Sequence, residues 1–258
     1  MSNASSSVTD STRRQFGAVA AGYTTSSYHA TGPDLAALVE AARFRGDERV
    51  LDVGTGTGHT AFAVAPHVAS VVGLDLTPEM VEQARVLQAQ RGIANVSFEV
   101  GDGLALPFDD ASFDAVTNRQ SLHHYADPAR AVAEAARVLK PGGTFLLIDT
   151  VAPEDPALDT WLNCVELLRD ASHVRDWRAT EWLKMLDAGG FRAEVVGRSG
   201  IPLDGADWTA RMRTPEQKVA MIRTLFREAQ PAVRAFFEVR EEPWGFTIPG
   251  ILIRAERV

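Results

Sequence analysis

The sequence holds a single cysteine, Cys164, so no disulfide can close within the chain, and neither a thiolate metal cage nor the framework of a small disulfide-rich secreted domain fits. Cys164 itself is expected as a half-buried helix residue. No metal site is expected. No stretch supplies the roughly 18 continuous apolar residues of a membrane-spanning helix. The opening, Met1 to Ser11, is polar and serine-rich and lacks the basic and apolar regions of a signal peptide. A soluble, cytoplasmic protein is the expectation, with residues 1 to 12 as a disordered tail. Positive charge is also scarce: 26 Lys and Arg face 34 Asp and Glu, a net charge of −8. Proteins that neutralise phosphates need clustered cations, so neither a nucleic-acid nor a membrane partner is expected. A small, uncharged or cationic substrate is favoured.

What is present is a chain of 258 residues with 45% hydrophobic content, enough for one large core. From Arg49 onward, short apolar runs alternate with amphipathic segments, the pattern of a parallel sheet covered by helices on both faces. Arg49 to Val53, Ser70 to Leu76, Val96 to Val100, Phe113 to Thr117 and Thr144 to Thr150 are expected as strands. Thr77-Pro78-Glu79 and Asp127-Pro128 open helices with a cap and a first-turn proline. Residues 13 to 45 are helix-compatible and form a candidate cap. A helical region over Pro156 to Ala188, an apolar strand from Phe191 to Val196, a capping-box helix at Thr214-Pro215-Glu216-Gln217 and a last strand from Gly245 to Arg254 complete the chain. The expected organisation is a single domain over 1 to 258, with the core at 46 to 196 and a helical insertion and final strand at 197 to 258.

Val50-Leu51-Asp52-Val53-Gly54 runs a buried strand into a glycine-rich turn, Gly54-Thr55-Gly56-Thr57-Gly58, and then a helix. Such a turn lets backbone approach a ligand at the carboxyl end of a strand, where a side chain would collide. The dinucleotide spacing G-x-G-x-x-G would need glycine at 59, where this chain has His59. Asp75, at the end of the next strand, can accept hydrogen bonds from both ribose hydroxyls and repels a 2′-phosphate. Asp102, in Gly101-Asp102-Gly103, sits where an adenine amino group could donate to it. Met80 offers either a polarizable wall for an adenine face or plain core packing.

These residues resemble the class I S-adenosylmethionine-dependent methyltransferases. Leu51 to Gly58 is similar to their first motif, Gly101-Asp102 with Leu106-Pro107-Phe108 to the third-strand region, and Arg137 to Gly143 to the approach to the fifth strand. Asn118-Arg119-Gln120-Ser121-Leu122-His123-His124-Tyr125-Ala126-Asp127 resembles the subgroup of ubiquinone/menaquinone-biosynthesis methyltransferases. The resemblance implies an α/β Rossmann-like sheet of seven strands, mostly parallel with the last antiparallel, helices on both faces, an N-terminal helical cap and a helical insertion before the last strand. It implies S-adenosyl-L-methionine as cofactor, with the backbone of Gly54 and Gly56 at the methionine moiety, Asp75 at the ribose, Asp102 at the adenine and the backbone carbonyl of Asn118 at the methionine amino group. Asp52, Thr55, Leu76, Met80 and Gly103 complete the expected cofactor-binding set, with Tyr23 folding over from the amino-terminal segment.

Methyl transfer is an in-line displacement, in which holding the reactants in contact supplies much of the rate. A base is needed only for a protonated acceptor. His124, six residues after Asn118, is the candidate catalytic or substrate-orienting residue; the alternative is a hydrogen bond to a loop carbonyl. His123 is expected to point away or to cap a turn. Tyr28 and His29 lie in the candidate cap; His173 and Arg175 bind an acidic substrate group or pair with Asp170 and Asp176. His59 is expected to flank the glycine loop and His67 to be exposed. The expected function is methyl transfer to carbon, oxygen or nitrogen of a small molecule, by a monomer or homodimer. An NAD-dependent oxidoreductase and a cofactor-binding protein without turnover are the rival readings.

Overall fold

The computed structural model describes residues 2–23, 30 and 32–258, and for 2–7 and 21–23 the backbone alone. A sheet of eight strands forms its centre. Strands β1 (Arg49–Val53), β2 (Ser70–Asp75), β3 (Val96–Val100), β4 (Phe113–Arg119) and β5 (Leu139–Thr150) run parallel; β6 (Phe191–Asp204) and β8 (Trp244–Arg257) are antiparallel to one another, and β8 also pairs antiparallel with β5. The order is β3-β2-β1-β4-β5-β8-β6, and the two-residue β7 (Arg240–Glu241) pairs the start of β8. Chain order therefore reverses between β1 and β4, so Val53, Leu74 and Asn118 end three neighbouring strands at one level and open a crevice above it.

Successive residues of a strand point to opposite faces, so β1 contributes to two separate cores. Leu51 packs with Val116, Leu147, Trp182 and Leu186 on one side of the sheet. Val50 packs with Leu38, Phe62, Val81 and Leu146 on the other. Helices α2 (Pro33–Ala42), α3 (His59–Val64) and α4 (Pro78–Arg91) contribute to the second layer, and α5 (Pro128–Val138) and α7 (Ala179–Ala188) to the first. Asp127 caps α5 as expected, its carboxylate accepting from the Arg130 N–H at 3.0 Å, whereas Thr77 makes no side-chain cap bond to α4.

Several expectations give way to tertiary contacts. Residues 2 to 12, expected as a disordered tail, belong to α1 (Ser2–Tyr23). Its Ser- and Asn-rich start has little helix preference, but the helix docks: Val19 and Ala20 are buried, Gln15 Nε2 donates to the Met212 carbonyl at 2.9 Å and Arg13 Nε to that of Leu76 at 3.4 Å. Strand β6 continues well past the expected 196, whereas β8 starts within one residue of the expected 245 and runs three residues past 254; the two pair from Phe191 with Arg257 to Asp204 with Gly245, slipping register between Val195 and Gly197. Gly197, Gly200 and Pro202 are poor strand formers, so it is pairing to β8 that holds this stretch extended. The outer arms carry a third core, in which Trp208, Ile222, Phe226 and Phe237 pack with Leu162, Phe246 and Ile248. It joins α6 (Pro156–Arg169), α8 (Gly205–Arg211), α9 (Glu216–Arg227) and α10 (Pro231–Phe236) to the sheet. The capping box at Thr214 does not form, because Thr214 Oγ1 donates to the Arg169 carbonyl at 2.8 Å and α9 starts after Pro215. The helical region 156 to 188 is two helices with a loop between them, and Cys164 is exposed rather than half-buried.

Arg119, at the end of β4, forms a two-pronged ion pair with Asp34 of α2 at 2.7 and 3.0 Å, its side chain only 4% exposed. Removing one partner of such a pair leaves the other charge poorly compensated. Asp34→Ala is expected to lower unfolding stability by about 3 kcal/mol, measured by urea denaturation.

Candidate active site

The glycine turn is fixed from below. Gly54 and Thr55 both donate to the Leu74 carbonyl of β2, at 2.8 and 3.0 Å. The Asp52 carboxylate, 1% exposed, accepts from Thr55 Oγ1 at 2.6 Å and from Thr117 Oγ1 of β4 at 2.7 Å. Burial pushes Asp52 up to about 6 against these hydrogen bonds. Gly54 has φ +70° and no room for a side chain, since a Cβ would collide with Ser121 Oγ. Gly56, at φ +54°, is the opposite: a Cβ there would meet nothing within 4 Å, so this stretch of backbone lies open to a ligand.

A cavity of about 430 Å³ begins at this turn. Gly54, Thr55, Gly56, Asp75, Leu76, Met80, Asp102 and Gly103 line one half, as the sequence leads one to expect. Asp75 holds two backbone N–H groups, Gly56 on one oxygen at 2.8 Å and Thr77 on the other at 2.9 Å, and burial raises its pKa. Asp102 accepts from the Leu104 N–H at 2.9 Å. Two expected cofactor residues are not in the wall. Asp52 lies under the turn; the Asn118 side chain binds the Val53 carbonyl at 2.8 Å and Ser121, tying β4 to β1, whereas the expected contact was through its backbone carbonyl. The side chain of Tyr23, and Tyr28 and His29 altogether, lie outside the described residues.

The other half of the cavity is walled by His123, His124, Thr150, Glu166, Arg169, Asp170, Trp208 and Phe16, among others. A short 3₁₀ turn, Leu122–His124, brings both histidines here, so His123 does not point away. Its Nδ1 lies 2.6 Å from Asp149 Oδ1 and its backbone N–H donates to the other oxygen at 3.1 Å. Burial disfavours charge on the ring, but Asp149, with Asp176 and Glu166 behind it, outweighs that and holds His123 up at about 9. His124 has the reverse environment. Burial, together with the charge of His123 and of His173, depresses its pKa well below the ordinary range. Its Nδ1 is 3.1 Å from the Ser172 carbonyl, which can only accept, so Nδ1 carries the hydrogen and Nε2 the lone pair. Nε2 lies 4.0 Å from Asp170 Oδ2. The edge of Phe16 on α1 packs across the His124 ring at 4.8 Å.

The remaining candidates fall elsewhere. Arg175 pairs with Asp159 at 2.8 Å rather than with Asp170 or Asp176, and His173 Nε2 meets Asn163 Oδ1 at 3.2 Å. His59 is buried beside the turn and lines the cavity, while His67 is exposed. Sequence reasoning overlooked Asp149, Glu166 and Trp208. Asp149 had a visible signal: it is an acid directly after the apolar run Phe145-Leu146-Leu147-Ile148, at the carboxyl end of a strand.

Backbone bared at a strand end, an acid at the end of the next strand and a further carboxylate just after the third form the layout of a Rossmann-like fold at its switch point. A methyltransferase domain model matches residues 51–147. The uncharacterised methyltransferase YcgJ of Bacillus subtilis is 40% identical over 87% of this chain and 90% of its own length. Its crystal structure superposes with a TM-score of 0.83, covering 86% of this chain and 97% of that one. The demethylmenaquinone methyltransferase of Deinococcus radiodurans is 44% identical over 41% of this chain and 44% of its own. The chain belongs to this family of S-adenosylmethionine-dependent methyltransferases.

The His123–Asp149 pair has a stability signature. A histidine raised to about 9 in the folded state, against an ordinary 6.5, contributes stability that is complete below pH 6.5 and is lost as pH rises through 9. Wild-type stability is therefore expected to fall relative to His123→Gln between pH 6.5 and 9.5, by on the order of 2 kcal/mol. Paired denaturation curves across that range measure it; parallel slopes would show that His123 is not held charged.

Proposed function

We propose that the two halves of the cavity hold donor and acceptor of one methyl transfer, S-adenosylmethionine at the glycine turn and a small molecule against the histidines. One observation carries this: the cavity is continuous from Gly56, Asp75 and Asp102 to His123, His124 and Trp208. The residues fit the cofactor. Open backbone at Gly56 suits the methionine portion, Asp75 the ribose hydroxyls, and Asp102 with the buried thioether of Met80 the adenine. When bound, the cofactor supplies an electrophilic methyl group on a sulfonium. The volume is that of a small-molecule pocket. A peptide or nucleic-acid acceptor would need a far larger surface.

The protein's part is to place the acceptor and manage its proton. His124 is neutral, with its tautomer fixed by the Ser172 carbonyl, so Nε2 is free to take a proton. Asp170 nearby stabilises the imidazolium that results. The roof is Phe16 on one side and Trp208 on the other, which keeps water from competing for the methyl group. Among the described residues no helix is long and apolar enough to cross a membrane, which agrees with an acceptor reached from water.

Calorimetry with S-adenosylhomocysteine and with NAD tests the donor half. Binding of the former and not the latter is expected; tight NAD binding alone would make the protein an oxidoreductase. Gly56→Ala fills the open backbone and strains the left-handed turn, and is expected to weaken S-adenosylhomocysteine at least about tenfold, near 1.4 kcal/mol. Labelled methyl transfer into a metabolite extract tests turnover, and absence of any labelled product would favour a binding protein. His124→Ala is expected to lower that turnover by about 10²-fold or more with cofactor affinity unchanged; unaltered turnover and pH profile would remove His124 from the chemistry.

A further inference from the structure

The methyl-transfer reading leaves His123 without a task, yet both its ring and its backbone are clamped. Asp149 is fully buried at the end of β5 and spends both oxygens locally, one on His123 Nδ1 and the Thr150 N–H, the other on the His123 N–H. The loop after α6 clamps the same residue from the far side, where the N–H groups of Val174 and Arg175 donate to the His123 carbonyl at 2.9 and 3.1 Å. With Nδ1 turned into the protein, the edge that His123 offers the cavity is Nε2, and the side chain retains 14% exposure there. A group held so rigidly, with a donor aimed into a substrate space, is a recognition element.

We propose that His123 is the acceptor-binding residue, donating from Nε2 to an ionised oxygen of an acceptor that carries an acidic hydroxyl, a phenol or an enol, and that Asp149 is its positioning residue. The proposal rests on the methyl-transfer reading. The acceptor arrives neutral. Its hydroxyl proton passes to His124 Nε2, whose ring centre lies 4.2 Å from that of His123, and the electron pair stays on the oxygen opposite the His123 N–H. That oxyanion is then either the nucleophile itself or the source of electron density at the adjoining carbon. The two rings divide the work because their surroundings push their proton affinities apart, a pattern typical of acid and base pairs. The sequence-based preference for an uncharged substrate is retained, since charge develops only inside the cavity.

The titratable groups facing His123 are Asp149 on β5, Glu166 on α6, His173 and Asp176 in the following loop, and His124 beside it. Each is present in wild type and variants alike, except where it is itself replaced. The probe is 4-nitrophenol, whose ionisation is read from its visible absorbance, titrated in the presence of protein saturated with S-adenosylhomocysteine. The wild-type protein is expected to lower the apparent ionisation midpoint of bound 4-nitrophenol by at least about one pH unit, a tenfold preference for the anion. His123→Gln is expected to abolish the shift, and Asp149→Asn to reduce it while moving the histidine NMR titration of His123 down from about 9. Retained S-adenosylhomocysteine affinity and a single cooperative thermal unfolding transition show that each variant is folded. A 4-nitrophenol midpoint that wild-type protein leaves unmoved, or one that His123→Gln moves equally, overturns the proposal. Loss of S-adenosylhomocysteine binding in the wild type would instead sink the methyl-donor reading beneath it.

Discussion

The site depends on one buried carboxylate. Asp52 ends β1 beneath the glycine turn and binds hydroxyls from two directions, Thr55 in the turn and Thr117 on β4. Hydrogen bonds to a charged group contribute about 1.5 to 3 kcal/mol each, which offsets part of the desolvation that raises Asp52. The effect is geometric. A turn with glycines in left-handed conformations would otherwise sample many shapes; anchored to two strands and to Leu74 O, it holds the backbone of Gly56 open. Asp75 then uses a Gly56 N–H on one oxygen and Thr77 on the other, so the ribose-type acid and the turn set each other's positions.

The second half of the cavity is assembled from parts far apart in sequence. The 3₁₀ turn after β4 supplies His123 and His124, β5 supplies Thr150, α6 and its loop supply Glu166, Arg169 and Asp170, and α8 supplies Trp208, while Asp149 and Ser172 back the two histidines. What holds them together is the third core, built where β6 and β8 outrun the rest of the sheet. Residues 197 to 244 are thus less an inserted lid than a second floor, and the wall they raise is continuous with the sheet. From the other side α1 closes in through Phe16, which touches His124 directly. Both closing elements reach the acceptor end, which is where variation in substrate would be accommodated without disturbing the turn.

How much of this is legible in the chain depends on the range of the interactions involved. The parallel strands, the glycine turn, Asp75 and Asp102 are local patterns, each readable within a few residues, and the structure places Asp75 and Asp102 in the cavity wall. The bracing roles of the Asp52 and Asn118 side chains were not readable, because only the approach of Thr117 and of the Val53 carbonyl shows them; the expectation for Asn118 concerned its backbone carbonyl, not this side chain. The helix at residues 2 to 12 and the outer arm of β6 beyond Val196 are likewise tertiary effects, since their composition argues for coil. The adjacent histidines are the sharpest case. Two neighbouring residues in a strand would face opposite ways, but a 3₁₀ turn carries no such alternation, and both rings reach the cavity.

That turn also explains why one fold edge can serve two opposed proton tasks. His123 is backed by Asp149 and is driven towards charge; His124 is backed by a carbonyl, a phenyl edge and a charged neighbour, and is driven away from it. Each assignment reinforces the other, because a charged His123 is itself one cause of the neutrality of His124. Neutralising Asp149 would therefore do more than loosen one ring: it would weaken the hold on the charge of His123 and, with it, part of the pressure that keeps His124 neutral. The acceptor end of the cavity acts as one coupled titrating unit. On the proposed reading its chemistry centres on the carboxylate at the end of β5, as the proposed methyl-donor end centres on the one at the end of β1.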